Sequence, residues 1–248
     1  MSASDPLDLA FLGSGNAFAP QRCWSGFVVN ERHLFDAPPT ALYSIKRMGL
    51  DPGRIETVFV SHFHADHFFG LPFLLLEYAY LTRRTQPLTI VGPAGIEERL
   101  RTLTEIGYPS LLARSQGYEL RFLEVEHSCE ATVNGVRFSA IEVEHGGETL
   151  RCYGFRTMIE GRTLSYTGDT QYGAQLIGLA RGADVVVADC TYASGVENPE
   201  HMSLDEVRTL QAQAGGETTF VLTHLGGAVD LRGADRMVMA EDGARFRL

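Results

Sequence analysis

Short apolar runs that end on polar side chains recur along the sequence. Leu7 to Leu12 reads as a strand running into the turn Gly13-Ser14-Gly15-Asn16. Phe27-Val28-Val29 and His33-Leu34-Phe35 read as a hairpin-like pair that ends at Asp36-Ala37-Pro38-Pro39. Thr40 to Met48 suits a helix, stopped by Gly49, since glycine takes the left-handed conformation at a helix end. A strand over 57–61, built on Val58-Phe59-Val60, gives way to Ser61-His62-Phe63-His64-Ala65-Asp66-His67. Phe73 to Leu81 is apolar nearly all round, which predicts a helix buried in the core or against another subunit. Leu88 to Val91 predicts a strand, and Ile96, Leu100, Leu103 and Ile106 mark one face of a helix ending at Gly107.

The second half repeats this rhythm. Asn134-Gly135 between Ala131-Thr132-Val133 and Val136-Arg137-Phe138 predicts a tight hairpin whose second strand continues to His145. Arg151 to Ile159 and Thr163 to Thr167 form another, ending at Gly168-Asp169-Thr170. A helix over about Tyr172 to Arg181 follows, then a buried-type strand Asp184 to Asp189. Ser203-Leu204-Asp205-Glu206 has the form of a capping box and starts a helix just after His201. Thr219 to Thr223 leads into His224. With no repeat and no low-complexity linker, one α/β domain over 1–248 is the simplest organisation.

Within the seven-residue stretch from Ser61, three imidazoles and a carboxylate fall within six residues. These are the ligand types that borderline divalent metals prefer, and a turn of this pattern aims alternate residues at two neighbouring points. His145, Asp169 and His224 each sit at the C-terminal end of an expected strand, where a rigid scaffold can direct side chains to a common point. The Gly-x-Gly at 13–15 lacks the third glycine or lysine of a phosphate loop and reads as a tight turn near the site. His33 and His127 read as ordinary strand or surface histidines.

The His-x-His-x-Asp-His motif and the order of the elements before it resemble the metallo-β-lactamase superfamily, in its ribonuclease Z-like and small-phosphodiesterase branch. The resemblance implies an αββα sandwich, two mixed sheets flanked by helices with the metal site at one edge. It implies that His62, His64 and His145 hold one metal, that Asp66, His67 and His224 hold the other, and that Asp169 bridges them. Two divalent ions are expected, zinc first by ligand type, with manganese or iron as alternatives. Asp66 and His201 are the catalytic candidates, His201 stabilising the phosphoryl oxygen or protonating the leaving oxygen, with Asp189 supporting it.

The chain also departs from the ribonuclease Z pattern. Its transfer-RNA-clamping arm, which in the bacterial pattern falls between the motifs holding His145 and Asp169, has no room in the spacing of 24 positions here. The string Asp189-Cys190-Thr191 is closer to the small phosphodiesterases of phosphonate metabolism, yet Cys23 stands alone where those often carry a cysteine-rich zinc site. The expected activity is hydrolysis of a small phosphodiester, such as a cyclic nucleotide or cyclic ribose phosphate, by a metal-bridging hydroxide. Three alternatives stay open: an RNA 3′-end endonuclease, a carboxylic-ester, lactone or lactam hydrolase, and a non-catalytic metal-binding module.

Charge changes the picture of partners. A formal net charge of −10, from 21 basic against 31 acidic residues, disfavours a long nucleic acid and favours a small anionic substrate. Composition is that of an ordinary soluble protein, 44% hydrophobic and 21% charged. No membrane-spanning run or leader stands out, so a cytoplasmic protein with reduced, scattered cysteines is expected. A homodimer through the Phe73–Leu81 helix is an open alternative to its burial in the core.

Overall fold

Alternation along each strand sorts its side chains between two cores, and this places the site. In the computed structural model, residues 6–114, 117–147, 149–196 and 199–248 are described. Residues 1–5, read above for the absence of a leader, lie outside them.

The first half contributes β1 (Asp8–Gly13), β2 (Gly26–Val29), β3 (His33–Phe35), α1 (Ala41–Arg47), β4 (Thr57–Phe59), α2 (Ala65–Phe68), α3 (Leu71–Tyr80), β5 (Leu88–Pro93), α4 (Ile96–Gly107) and β6 (Leu120–Val125). The second contributes β7 (Cys129–Val133), β8 (Val136–Val143), β9 (Cys152–Ile159), β10 (Arg162–Tyr166), α5 (Gln175–Ala180), β11 (Val185–Asp189), α6 (Leu204–Ala214), β12 (Thr219–Thr223), β13 (Met237–Met239) and β14 (Arg245–Arg247). Among the described residues these form two seven-stranded sheets, ordered β14-β1-β2-β3-β4-β5-β6 and β13-β12-β11-β10-β9-β8-β7.

Phe11, Phe27, Phe35 and Phe59 stand at inward positions of four neighbouring strands and stack in a row, with centroids 5.3, 4.8 and 4.8 Å apart. They meet Phe138, Phe155 and Tyr166 of the second sheet in the central core. Alternate positions on the same strands, Leu12, Val28, Leu34 and Val58, pack instead on α1, α3 and α4. In the second sheet Val186, Ala188 and Phe220 pack on α5 and α6. Strands covered on both faces read as continuous apolar runs, and the result is the expected αββα sandwich.

The strand directions gather the site. β10, β11, β12 and β13 are parallel, and β8 runs with them because β9 is antiparallel to both β8 and β10. Their C-terminal ends therefore share one edge. Tyr153 donates its backbone N–H to Ser61 O at 3.0 Å and fastens the end of β4 to that edge.

Several elements differ from expectation. β6, β13 and β14 carry weak apolar patterns, and β14 is held by antiparallel pairing to β1. The histidine stretch holds a helical turn, α2, where a plain turn was expected. Helix α3 buries Leu71, Leu74, Leu75 and Tyr78 but leaves Phe73, Tyr80 and the adjoining Leu81 exposed. The four cysteines are free thiols, Cys152 and Cys190 buried. No helix among the described residues is long and apolar enough to cross a membrane.

Candidate metal centre

The expected residues converge, and four of the imidazoles are aimed by a partner behind them. His62 follows β4 directly and is fully buried. The Ser61 hydroxyl donates to Asp36 Oδ2 at 2.8 Å, so at 2.9 Å His62 Nδ1–H donates to Ser61 Oγ and leaves Nε2 as a bare acceptor. His67 Nδ1 donates to the same Asp36 oxygen at 2.8 Å. His145 Nδ1 donates to Glu200 O at 2.9 Å. The Thr191 hydroxyl donates to Asp189 Oδ1 at 2.9 Å and accepts from His224 Nδ1 at 2.9 Å. In each ring the outer nitrogen is occupied and the inner Nε2 faces the cluster, the arrangement by which outer hydrogen bonds fix a metal-binding tautomer.

Asp169 Oδ2 lies at the centre. It is 3.1 Å from His67 Nε2, 3.2 Å from His224 Nε2, and 3.8 Å from both His62 Nε2 and His145 Nε2. Asp66 Oδ2 lies 3.6 Å from His67 Nε2 and 3.7 Å from His224 Nε2. His64 approaches from the solvent side with Nδ1 3.2 Å from His145 Nε2. Gly168, at φ +61°, makes the turn that delivers Asp169; an added Cβ would lie 2.9 Å from Tyr153 O.

Ligand atoms 2.0–2.1 Å from one tetrahedral ion stand about 3.3 Å from one another. The observed spacings bracket that value. His62, His67 and His224 are buried, yet their Nε2 atoms have no hydrogen-bond partner among the described residues. Bare buried acceptors are costly, and a cation satisfies them. The donor set fits divalent metal, grouped as His62, His64, His145 and Asp169, and as Asp66, His67 and His224.

Electrostatics divide the cluster. Burial lowers His67 and His224, but the surrounding carboxylates, Asp169 first, outweigh it and raise both above the usual imidazole range, with protons that a bound cation would displace. Burial, reinforced by His67, pushes His62 well below the usual imidazole range and keeps it neutral. Burial alone would raise Asp169, but His224 and His67 outweigh it and hold this carboxyl well below the usual range.

His201 stands beside the cluster. Its Nδ1 is 2.8 Å from Asp189 Oδ2, and its ring stacks on His224 with centroids 4.8 Å apart. Burial lowers its pKa, Asp189 outweighs burial, and the net shift is upward. Asp189 is fully committed, accepting also from Thr170 N and Thr191 N, both at 3.1 Å. The site opens into a cavity of about 550 Å³ lined by Asn16, Phe18, Gly146, Tyr192 and Glu200 besides the cluster. His33 and His127 lie apart from it: His33 is buried within β3, and exposed His127 accepts from Glu142 N at 3.2 Å.

Sequence reasoning missed Asp36. It is fully buried and accepts from Ser61 N (2.7 Å), Ser61 Oγ (2.8 Å), His67 Nδ1 (2.8 Å) and Tyr166 OH (2.7 Å). Its φ of +54° is a backbone state that aspartate and asparagine tolerate better than most residues. An aspartate between a buried strand and Pro38-Pro39 was the available signal.

The chain is 30% identical to ribonuclease Z of Methanosarcina acetivorans, the match covering 88% of this chain and 87% of that protein. Its fold matches the metallo-β-lactamase fold protein YhfI from Bacillus subtilis, with TM-score 0.79 and 20% identity over 98% of this chain and 99% of that one. A diphosphatase from the PhnP family matches with TM-score 0.74 and 19% identity, over 98% of each chain. The ribonuclease Z relative sets a limit on the expectation against long nucleic acid, because net charge alone does not exclude RNA here. Residues 7–232 match the family described as Anti-Pycsar protein Apyc1, and the chain belongs to it, as a metal-dependent hydrolase of the ribonuclease Z-like branch of the metallo-β-lactamase superfamily.

Proposed function

We propose that the protein is a dinuclear metal-dependent phosphodiesterase acting on small phosphodiesters of the cyclic nucleotide or cyclic ribose phosphate type. The observation that carries this reading is His201, fixed by Asp189 beside the donor cluster on the wall of a cavity of about 550 Å³. In this reading His62, His64 and His145 hold one ion, Asp66, His67 and His224 hold the other, and Asp169 serves both. Zinc suits the donors best, with manganese or iron as substitutes. Such a pair of cations lowers the pKa of water toward 7 and offsets charge building on a phosphoryl group.

The chain's own residues do the rest. Asp36, Ser61, Glu200 and Thr191 hold the four inner imidazoles in register. His201 is positioned with Nδ1 engaged and Nε2 free to donate to a phosphoryl oxygen or to pass a proton to the leaving oxygen. Asp189 keeps that proton on His201. Asp66 keeps its carboxylate on the cavity wall, beside the reacting group.

The second reading, an RNA 3′-end endonuclease, is favoured by the ribonuclease Z relative. Against it, that alignment runs over 268 positions while 88% of this chain is about 218 residues, so about 50 positions of the relative face no residue here. The β9–β10 hairpin fills the segment between His145 and Asp169. RNA cleavage predicts binding that weakens steeply with salt. A carbonyl hydrolase, the third reading, leaves His201 without a phosphoryl partner.

Turnover of bis(p-nitrophenyl) phosphate, a p-nitrophenyl ester and a lactone, with metal content measured on the same sample, separates these readings. Phosphodiester cleavage with about two metals per chain is the expected result. Cleavage of the ester or lactone alone refutes it, and a chain that binds metal but turns over none of the three substrates supports the non-catalytic metal-binding alternative. A homodimer across the exposed residues of α3 is the assembly this reading keeps, checked by sedimentation.

A further inference from the structure

One side of the cavity is left unused by the proposed chemistry. The loop over residues 14–24 forms it, and the loop is braced. Asp242 Oδ1 accepts from Ser14 N at 3.0 Å and Ser14 Oγ at 2.8 Å, while its other oxygen accepts from Cys23 N at 2.5 Å. Arg22 donates to Ser14 Oγ at 2.7 Å. A Cβ on Gly13 would lie 2.1 Å from Trp24 O, so the two ends of the loop pack without space for a side chain. Asn16 Oδ1 accepts from Phe18 N at 3.0 Å.

On this fixed loop the Phe18 side chain is 90% exposed. A large apolar ring held in water on a braced loop gains nothing from the cores of the fold. It does line the same cavity as His201 and Asp169. Tyr192 lines it too, its ring 6.2 Å from that of His201. The loops carrying Phe18 and Tyr192 are neighbours: a Cβ on Gly226 would lie 2.8 Å from Thr191 O and 2.9 Å from Asn16 Nδ2. With Oδ1 committed to Phe18, Asn16 Nδ2 has no hydrogen bond among the described residues and offers a donor. The cavity thus joins a charged floor suited to a phosphoryl group with an aromatic, hydrogen-bonding wall suited to a planar heterocycle.

We propose that Phe18 is a specificity-determining residue, the platform on which the base of a cyclic nucleotide stacks. This rests on the phosphodiesterase reading and narrows it, favouring the cyclic nucleotide over the base-free cyclic ribose phosphate. Stacking uses the π-face that every base presents, so discrimination among bases through Phe18 is weak while discrimination against base-free substrates is strong.

The test compares kcat/KM of the metal-loaded full chain for 3′,5′-cyclic adenosine monophosphate and for the 3′,5′-cyclic phosphate of methyl riboside. The parent prefers the nucleotide, and Phe18→Ala reduces that preference roughly 5- to 150-fold, mainly through KM. Phe18→Trp restores it. The inference is overturned by a parent without preference, by a preference unchanged in Phe18→Ala, or by equal losses on both substrates. A shift of oligomeric state in Phe18→Ala also overturns it, because Phe18 then covers a contact between copies. A parent that cleaves bis(p-nitrophenyl) phosphate but shows no preference fails only this inference. A parent that cleaves no phosphodiester fails the phosphodiesterase reading, and the inference with it.

Discussion

Replacing Asp36 by asparagine changes one atom and tests whether this buried carboxylate holds the metal site together. The side chain keeps its shape, and asparagine tolerates the φ of +54°. The hydrogen bonds cannot survive intact. Oδ1 faces the Ser61 N–H, and Oδ2 faces Ser61 Oγ, His67 Nδ1 and Tyr166 OH. An amide NH2 in the Oδ1 position meets a backbone donor that cannot turn away. In the Oδ2 position it forces His67 to accept at Nδ1, which moves the ring proton to Nε2, 3.1 Å from Asp169. That proton occupies the direction a cation needs. Loss of such an outer partner costs about 10- to 100-fold in metal affinity, or about 1.4–2.8 kcal/mol. Competition with a chromogenic chelator measures it. Tyr166→Phe is the control, since it removes one bond to Asp36 and leaves His67 paired. Affinity of Asp36→Asn within twofold of the parent refutes the reasoning.

Further outcomes follow from the same geometry. Asp169→Ala removes the oxygen nearest both donor groups, and metal occupancy and turnover fall together by elemental analysis and assay. His201→Ala keeps both metals and slows phosphodiester turnover by about 10²-fold; unchanged turnover removes the role assigned to it. His33 supplies an acid-dependence remote from the cluster. Burial, with Arg32 adding to it, lowers its pKa from 6.5 to about 4, and Nδ1 lacks a partner among the described residues. The folded state disfavours the proton, so this contribution is full above pH 6.5 and is lost as pH falls toward 4. It amounts to about 3 kcal/mol in all and about 2 kcal/mol between pH 7 and 5. Urea unfolding of His33→Leu at the two pH values removes that part of the parent's acid sensitivity.

The residues that touch the donor cluster were legible because they are chemically rare and stand where apolar runs end. His62 to His67, His145, Asp169 and His224 each follow a strand whose apolar pattern is strong enough to place its end. What stayed hidden acts through partners distant in sequence. Asp36 meets Tyr166 across 130 residues, and Thr191 meets His224 across 33. Neither pairing leaves a local pattern. β14 escaped notice because Arg245 and Arg247 flank a single partly buried Phe246, and only pairing with β1 makes it a strand. Phe18 carried no signal at all, since an exposed aromatic gains meaning only from the cavity beside it.

The same distant contacts tie the metal site to the union of the two sheets. Asp36 leaves the first sheet after β3, Tyr166 ends β10 of the second, and His67 lies between them on α2. Each ion held by the native cluster and absent from the unfolded chain therefore stabilises the whole sandwich. At a free metal concentration 100 times the dissociation constant, one site contributes about 2.7 kcal/mol. At roughly 2–4 °C per kcal/mol for a chain of this size, chelation lowers the unfolding midpoint by roughly 5–10 °C per site. Differential scanning calorimetry before and after chelation, and again after adding zinc back, measures this. A midpoint that does not move on chelation means that the cluster and the packing of the sheets are energetically separate, and that Asp36 serves only one of them.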